Sequence, residues 1–276
     1  MNNLEIISLI TIIIYILASL FGLTGMMANR LALRKIGCHL AIAAFLFQTI
    51  ALITGFHKSA TGFLSSGAWL QLVAWFILLC SSASWWRLRT DALLLFASPF
   101  ALFLFILSLP WLNSPLALPR QMSSTFYLLH TGAIFLALGL CSLGFIASVL
   151  FLFLQKRIKK RKNIHGYWQN IPHLELLDKI NAVCVYAIFP LYSLGILTGL
   201  LWAAPVYGKT ISGDPKEYAS LLIWILLAIL FHNRLAASWK GKKPAVVMIL
   251  IFAISLFSLL GLNFLLPGHH SFISSN

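Results

Sequence analysis

Eight uninterrupted apolar runs, most of them roughly 18 to 25 residues long, recur along this 276-residue chain at about 6–26, 38–55, 67–86, 92–111, 123–154, 179–204, 216–235 and 245–266. A helix of about 20 residues crosses the roughly 30 Å of hydrocarbon in a bilayer, so each run is long enough to span. A soluble core would alternate apolar faces with charged ones. Here 60% of the residues are hydrophobic, 9% are charged and the mean hydropathy is +0.92. The composition predicts an all-α integral membrane protein with about eight transmembrane helices, forming a single polytopic membrane domain over residues 1–276. The first run carries Glu5 where a signal peptide would carry a basic cluster, and no small-residue cleavage site follows it, so it reads as a mature span. The fifth run exceeds what a bilayer requires and should tilt or project beyond it.

The formal charge of +14 takes its meaning from where the basic residues fall. Sixteen of the twenty lie in or beside the loops that follow the first, third, fifth and seventh runs, including "QKRIKKRK" and Arg234, Lys240, Lys242 and Lys243. The other side holds Lys58, Arg120, Lys209 and Lys216. The positive-inside rule therefore puts both termini outside and the basic loops beside anionic lipid headgroups, with a bacterial cytoplasmic (inner) membrane as the expected location. A nucleic-acid partner would require basic residues interleaved with exposed aromatics or a recognisable reading module, and the sequence has neither.

Several chemistries are disfavoured. Cys38, Cys80, Cys141 and Cys184 lie in or at the edges of the runs with no CxxC pair, which argues against a thiol-exchanging reductase. No glycine-rich phosphate loop marks an ATP-driven pump, and no internal repeat marks a permease. The longest loop, 156–178, ends in "IPHLELLD", whose pattern predicts a short amphipathic helix lying at the membrane interface.

One polar stretch, "YGKTISGDPKEY" from Tyr207 to Tyr218, separates two apolar runs. Asp214 suits an N-cap, Pro215 the first helical position and Glu217 the position that returns the capping hydrogen bond, so the seventh helix should start here. Histidines stand at telling depths. His130 lies about six residues into the fifth run, roughly 10 Å below its start, and His269 and His270 follow the eighth run on the same side. His232 lies seventeen residues beyond Pro215, roughly 26 Å along the seventh helix and near the opposite face. Ionisable groups within a membrane mark function by default. A pair of imidazoles beside a polar loop with lysines and aromatics suits haem, whose iron accepts two axial imidazoles and whose propionates pair with cations such as Lys209, Lys216 or Arg120. Zinc is the competing chemistry, with Asp214 as a third ligand.

The stretch from "IPHLELLDKIN" through "LYSLGILTGLLWAAPVYGKTISGDPKEYASLLIWILLAILFHNRL" to "WKGKKPAVVMILIFAISLFSLLGLNFLLPGHHSF" resembles the cytochrome c assembly family, the CcsA and HemX type of haem-handling membrane proteins. The likeness is clearest over about 100 C-terminal residues, extends upstream through "LLH" at Leu128 to His130, and defines a family-like core of about 123–276.

The resemblance implies that His130 and His270 correspond to the family's two outer haem-ligating histidines, with His269 the neighbouring candidate. It implies that His232, in "FHNR", corresponds to a histidine within a span that binds haem on its way out. Trp202, Tyr207, Lys209, Asp214 and Lys216 fall on or beside the family's tryptophan-rich outer loop, the source of the name WWD. Here the pattern departs, because Tyr207, Ile211 and Gly213 stand where that loop has tryptophans. The implied function is to transport or present haem, as haem b, for cytochrome c maturation, together with a second membrane subunit and the apocytochrome c that receives the haem. Any enzymatic part would be that of a subunit in a haem-attachment complex, and no catalytic residue is assigned. The alternative is a HemX-like regulatory protein that acts on tetrapyrrole synthesis without haem transfer. The charge distribution makes one expectation testable directly. Reporter fusions after Lys160 and Lys242 should remain cytoplasmic and those after Lys209 and at Asn276 should be exported, whereas a cytoplasmic reporter at Asn276 would contradict the orientation.

Overall fold

The computed structural model describes residues 3–58, 66–112, 125–161, 166–207 and 213–261. Among them there is no strand. The chain forms α1 (Asn3–Met27), α2 (Leu31–Lys58), α3 (Ser66–Leu88), α4 (Asp91–Ser108), α5 (Thr125–Lys159), α6 (Leu174–Tyr207), α7 (Pro215–Leu235) and α8 (Lys242–Leu256). Short 3-10 turns cover Leu109–Trp111 and Gly166–Asn170, and a π turn, Phe257–Gly261, continues α8. All eight helices are long and apolar enough to cross a membrane, counting the turns that continue α4 and α8. This is the multi-pass helical protein that the apolar runs predict. The 35 residues of α5 extend about 52 Å at 1.5 Å per residue, well beyond the hydrocarbon thickness.

The helices divide into two compact units, one of Met1–Leu116 with Leu152–Leu177 and the other of Ala117–Phe151 with Asp178–Asn276. In the first unit, α1 and α2 form a close hairpin joined by the turn at Ala28 to Arg30, in which Asn29 takes φ +52°. Lipid tails are as apolar as leucine, so spans associate through close packing and interhelical hydrogen bonds. Gly37 shows the first of these, since a Cβ there would lie 2.6 Å from the Cα of Gly22. The second is carried by a buried chain across α1, α2 and α3. The Tyr15 hydroxyl donates to Gln48 Oε1, and Gln48 Nε2 donates to the Gln71 carbonyl at 2.7 Å. Towards one end of α3, Asp91 accepts from Trp85 Nε1 at 3.0 Å and lies 3.8 Å from Arg34.

The "IPHLELLD" stretch does not form a separate interfacial helix. The chain turns helical at Leu174 and continues without a break to Tyr207. No glycine or proline between Leu174 and Phe189 stops it. Asp178, whose charge gives the stretch its amphipathic look, faces inward to Arg234.

In the second unit the pairings of α6 with α7 run in opposite senses. Trp224 Nε1 donates to Ser193 Oγ at 2.9 Å, Phe231 stacks on Phe189, and Arg234 meets Asp178 and Asn181. The same rule holds between α5 and α6, where His130 meets Gly195 and Ser148 meets Asn181. One end of this unit, here termed the head end, thus gathers the start of α5, the end of α6 and the start of α7. The other, basic end holds a polar network. The Arg234 side chain, 3% exposed, donates to both Asp178 carboxylate oxygens at 3.1 and 3.0 Å, to Asn181 Oδ1 at 2.6 Å and to the Trp239 carbonyl at 3.0 Å. Gly241 N–H reaches Asp178 Oδ1 at 2.9 Å, and Asn181 continues the chain to Ser148 on α5. Two of the sixteen basic residues that mark topology, Arg34 and Arg234, are therefore ion-paired inside their units.

Removing one partner of a buried ion pair strands the other charge and costs about 3–5 kcal/mol, while replacing both with apolar residues of similar volume is often neutral. Asp178→Ala is accordingly expected to destabilise the protein in detergent by about 3–5 kcal/mol, and Asp178→Leu with Arg234→Met by far less. Thermal unfolding of the three proteins checks this. Equal losses in the single and double variants would show that the charges are not the source of the cost.

Candidate functional site

The head end of the second unit places His130 in the second turn of α5, half-buried against α6. Its Nδ1 lies 2.7 Å from the carbonyl oxygen of Gly195. Gly199, one turn further along α6, presents a bare backbone to the same ring. The same carbonyl also takes the Thr198 hydroxyl at 3.1 Å. The ring is thus held by one nitrogen against a neighbouring helix.

At the start of α7, Asp214 has extended backbone angles (φ −63°, ψ 134°) and accepts from the Lys216 amide at 2.9 Å, with Pro215 at the first helical position. Glu217 accepts from the Gly213 amide at 2.9 Å. The cap forms as the sequence predicts, with its register shifted: the aspartate serves the second helical N–H, and the glutamate returns to the residue before the cap. Gly213 has φ +82°, a left-handed conformation that side-chain-bearing residues rarely adopt. That conformation gives a local reason for glycine at a position where the resemblance has tryptophan. Lys216 is half-buried on the first turn.

The remaining residues singled out from sequence fall as follows. Trp202 and Tyr207 belong to the last two turns of α6, at the head end, with their side chains outside the described residues. Lys209, His269 and His270 also lie outside the described residues. His232 is exposed on the last turn of α7, where its carbonyl accepts from Ala236 at 2.8 Å. It stands at the basic end, the opposite end of the unit from His130. Among the described residues, no group of three His, Cys, Asp or Glu side chains could share a metal ion, so the zinc alternative gains no third ligand there.

Two features escaped the sequence reading. The Gly195/Gly199 surface that carries His130 was visible only as two glycines four apart, a spacing that marks close helix approach in membranes. The Asp178–Arg234 pair had as its signal one of only six acidic residues in the chain, placed among the basic loops.

Comparison with known proteins extends the likeness beyond the C-terminal core. Residues 61–270 match the family described as Cytochrome C assembly protein. Over 223 residues the chain is 28% identical to cytochrome c biogenesis protein CcsA of Guillardia theta, covering 74% of this chain and 73% of that one. It is 33% identical over 159 residues to the CcsA of Chlamydomonas reinhardtii, covering 58% and 43% of the two chains. It is 43% identical over 105 residues to the CcsA of Marchantia polymorpha, covering 38% and 32%. The match thus spans less than half the length of the latter two relatives. The family match reaches from the residues before α3 to beyond the π turn, across both compact units, and on that extent the chain belongs to the cytochrome c assembly protein family.

Proposed function

We propose that the protein handles haem for cytochrome c biogenesis, holding it at the head end of the second unit and presenting it to an apocytochrome c, with a second membrane subunit completing the complex. In this reading the membrane is a bacterial cytoplasmic membrane, the head end faces outward, and His130 and His270 would hold the haem iron. The observation that carries the reading is the state of His130. A carbonyl occupies one ring nitrogen, and the ring lies against Gly195 and Gly199 in the half of α6 that leads to Tyr207.

The chain's own residues have limited and definite tasks. His130 offers a neutral imidazole lone pair, and His270 is assigned the second. Lys216 and Lys209 supply cations for carboxylate groups of the ligand. The Asp214 cap fixes the start of α7, and with it one edge of the loop containing Tyr207 and Lys209. When bound, haem supplies vinyl groups to which the apocytochrome thiols add, each S–H across a C=C bond with no leaving group; the protein's share is position and ligation. His232, at the other end, is assigned to haem arriving from the basic side.

The test is the absorption spectrum of protein purified from haem-replete cells. The native protein is expected to show a Soret band with split reduced α/β bands. His270→Ala should retain haem with an altered spectrum, and His232→Ala should lower the amount of haem recovered. A folded native protein with no Soret band would overturn the reading and leave the HemX-like regulatory role, which the replacement of the loop tryptophans by Tyr207, Ile211 and Gly213 favours. Identical spectra and occupancies in the two variants would return His232 to the role of an interfacial residue.

A further inference from the structure

Resting on the assignment of His130 as an iron ligand, we propose that Gly199 is a positioning residue: together with the Gly195 carbonyl it holds the His130 ring in the Nδ1–H tautomer, leaving the Nε2 lone pair free. A carbonyl oxygen accepts hydrogen bonds and cannot donate one, so the nitrogen 2.7 Å from Gly195 O carries a proton. In a neutral imidazole the lone pair then belongs to Nε2. An N–H···O=C contact from the far nitrogen of a ligating histidine fixes the ring's orientation and raises its basicity.

The glycines of this region separate orientation from packing. A Cβ built on Gly199 would lie 2.7 Å from His130 Nδ1 and 2.9 Å from Cε1. Both distances are too short for any real side chain, so an alanine there drives the ring away from the carbonyl that anchors it. A Cβ on Gly195 would instead meet the Ile134 side-chain tip, Cδ1 at 2.5 Å and Cγ1 at 2.7 Å, which can rotate aside. A Cβ on Gly132, two residues from His130 on its own helix, meets nothing within 4 Å. All three positions are helical, where alanine is intrinsically favoured over glycine. A substitution at Gly199 that disturbed only packing would therefore leave the His130 tautomer as it is.

The experiment uses the full chain in detergent, labelled with 15N-histidine, with His130 identified by its loss in His130→Ala. The haem-free native protein is expected to show the Nδ1–H tautomer for His130. Gly132→Ala should preserve it, and Gly199→Ala should abolish it. Titration with haem should then show about 10- to 100-fold weaker binding by Gly199→Ala, with a changed spectrum, and near-native binding by Gly132→Ala. An Nε2–H tautomer in the native protein overturns the proposal without any variant, and so does a Gly199→Ala protein with native tautomer and native haem affinity. If the tautomer changes in Gly199→Ala while the native protein binds no haem, the positioning role stands and the haem-handling function falls.

Discussion

Hydrocarbon offers a polar group no partner, and the arrangement of this protein follows from that constraint. Backbone N–H and C=O groups satisfy it by forming helices. The inward-facing side chains discussed above satisfy it by reaching neighbouring helices or their own helix carbonyls. Tyr15 reaches Gln48, Gln48 reaches a carbonyl of α3, and Trp224 reaches Ser193. Ser98, Ser148 and Thr198 donate to carbonyls one turn back. His130 obeys the same rule with one nitrogen only, which distinguishes it from side chains whose bonding serves packing alone.

The two ends of the second unit show opposite uses of polarity. At the basic end, Asp178, Asn181, Arg234 and Ser148 bind each other, and the Trp239 carbonyl and the Gly241 amide draw the α7–α8 connection into the same network. Such a network specifies one arrangement of helices and leaves little bonding capacity for a ligand. The head end has fewer side-chain links between helices. Asp214 Oδ2 is buried and takes no hydrogen bond among the described residues, and the cap and the His130 anchor are each a short local device. Each end leaves one buried side-chain atom without a hydrogen bond among the described residues, Arg234 Nε at the basic end and Asp214 Oδ2 at the head end, so the ends differ in how many side chains bind one another.

The fold was readable because a span's length and apolarity are local properties. Each of the eight runs overlaps a helix, and the N-cap at Asp214 was evident from four consecutive residues. What sequence left undetermined were the partners. Asp178 and Arg234 are 56 residues apart in the chain, and no periodicity shows that an acid in one loop region answers an arginine in another. The continuous α6 was obscured for the same reason, since Asp178 looks like a solvated face until its partner is seen. His130 was legible as a histidine at a definite depth. Its anchor, 65 residues away on a surface defined by missing side chains, was not.

The four cysteines give this architecture a redox character. Cys38, Cys80, Cys141 and Cys184 are all buried and outside any disulfide, Cys141 with its sulfur 4.0 Å from that of Met248. Thiol–disulfide exchange needs an accessible thiolate to attack a disulfide sulfur along an open approach. None of these side chains supplies one. A thiol-bearing molecule that met this protein would find no accessible cysteine sulfur with which to form a mixed disulfide. Toward thiols, the cysteines of this chain are redox-silent.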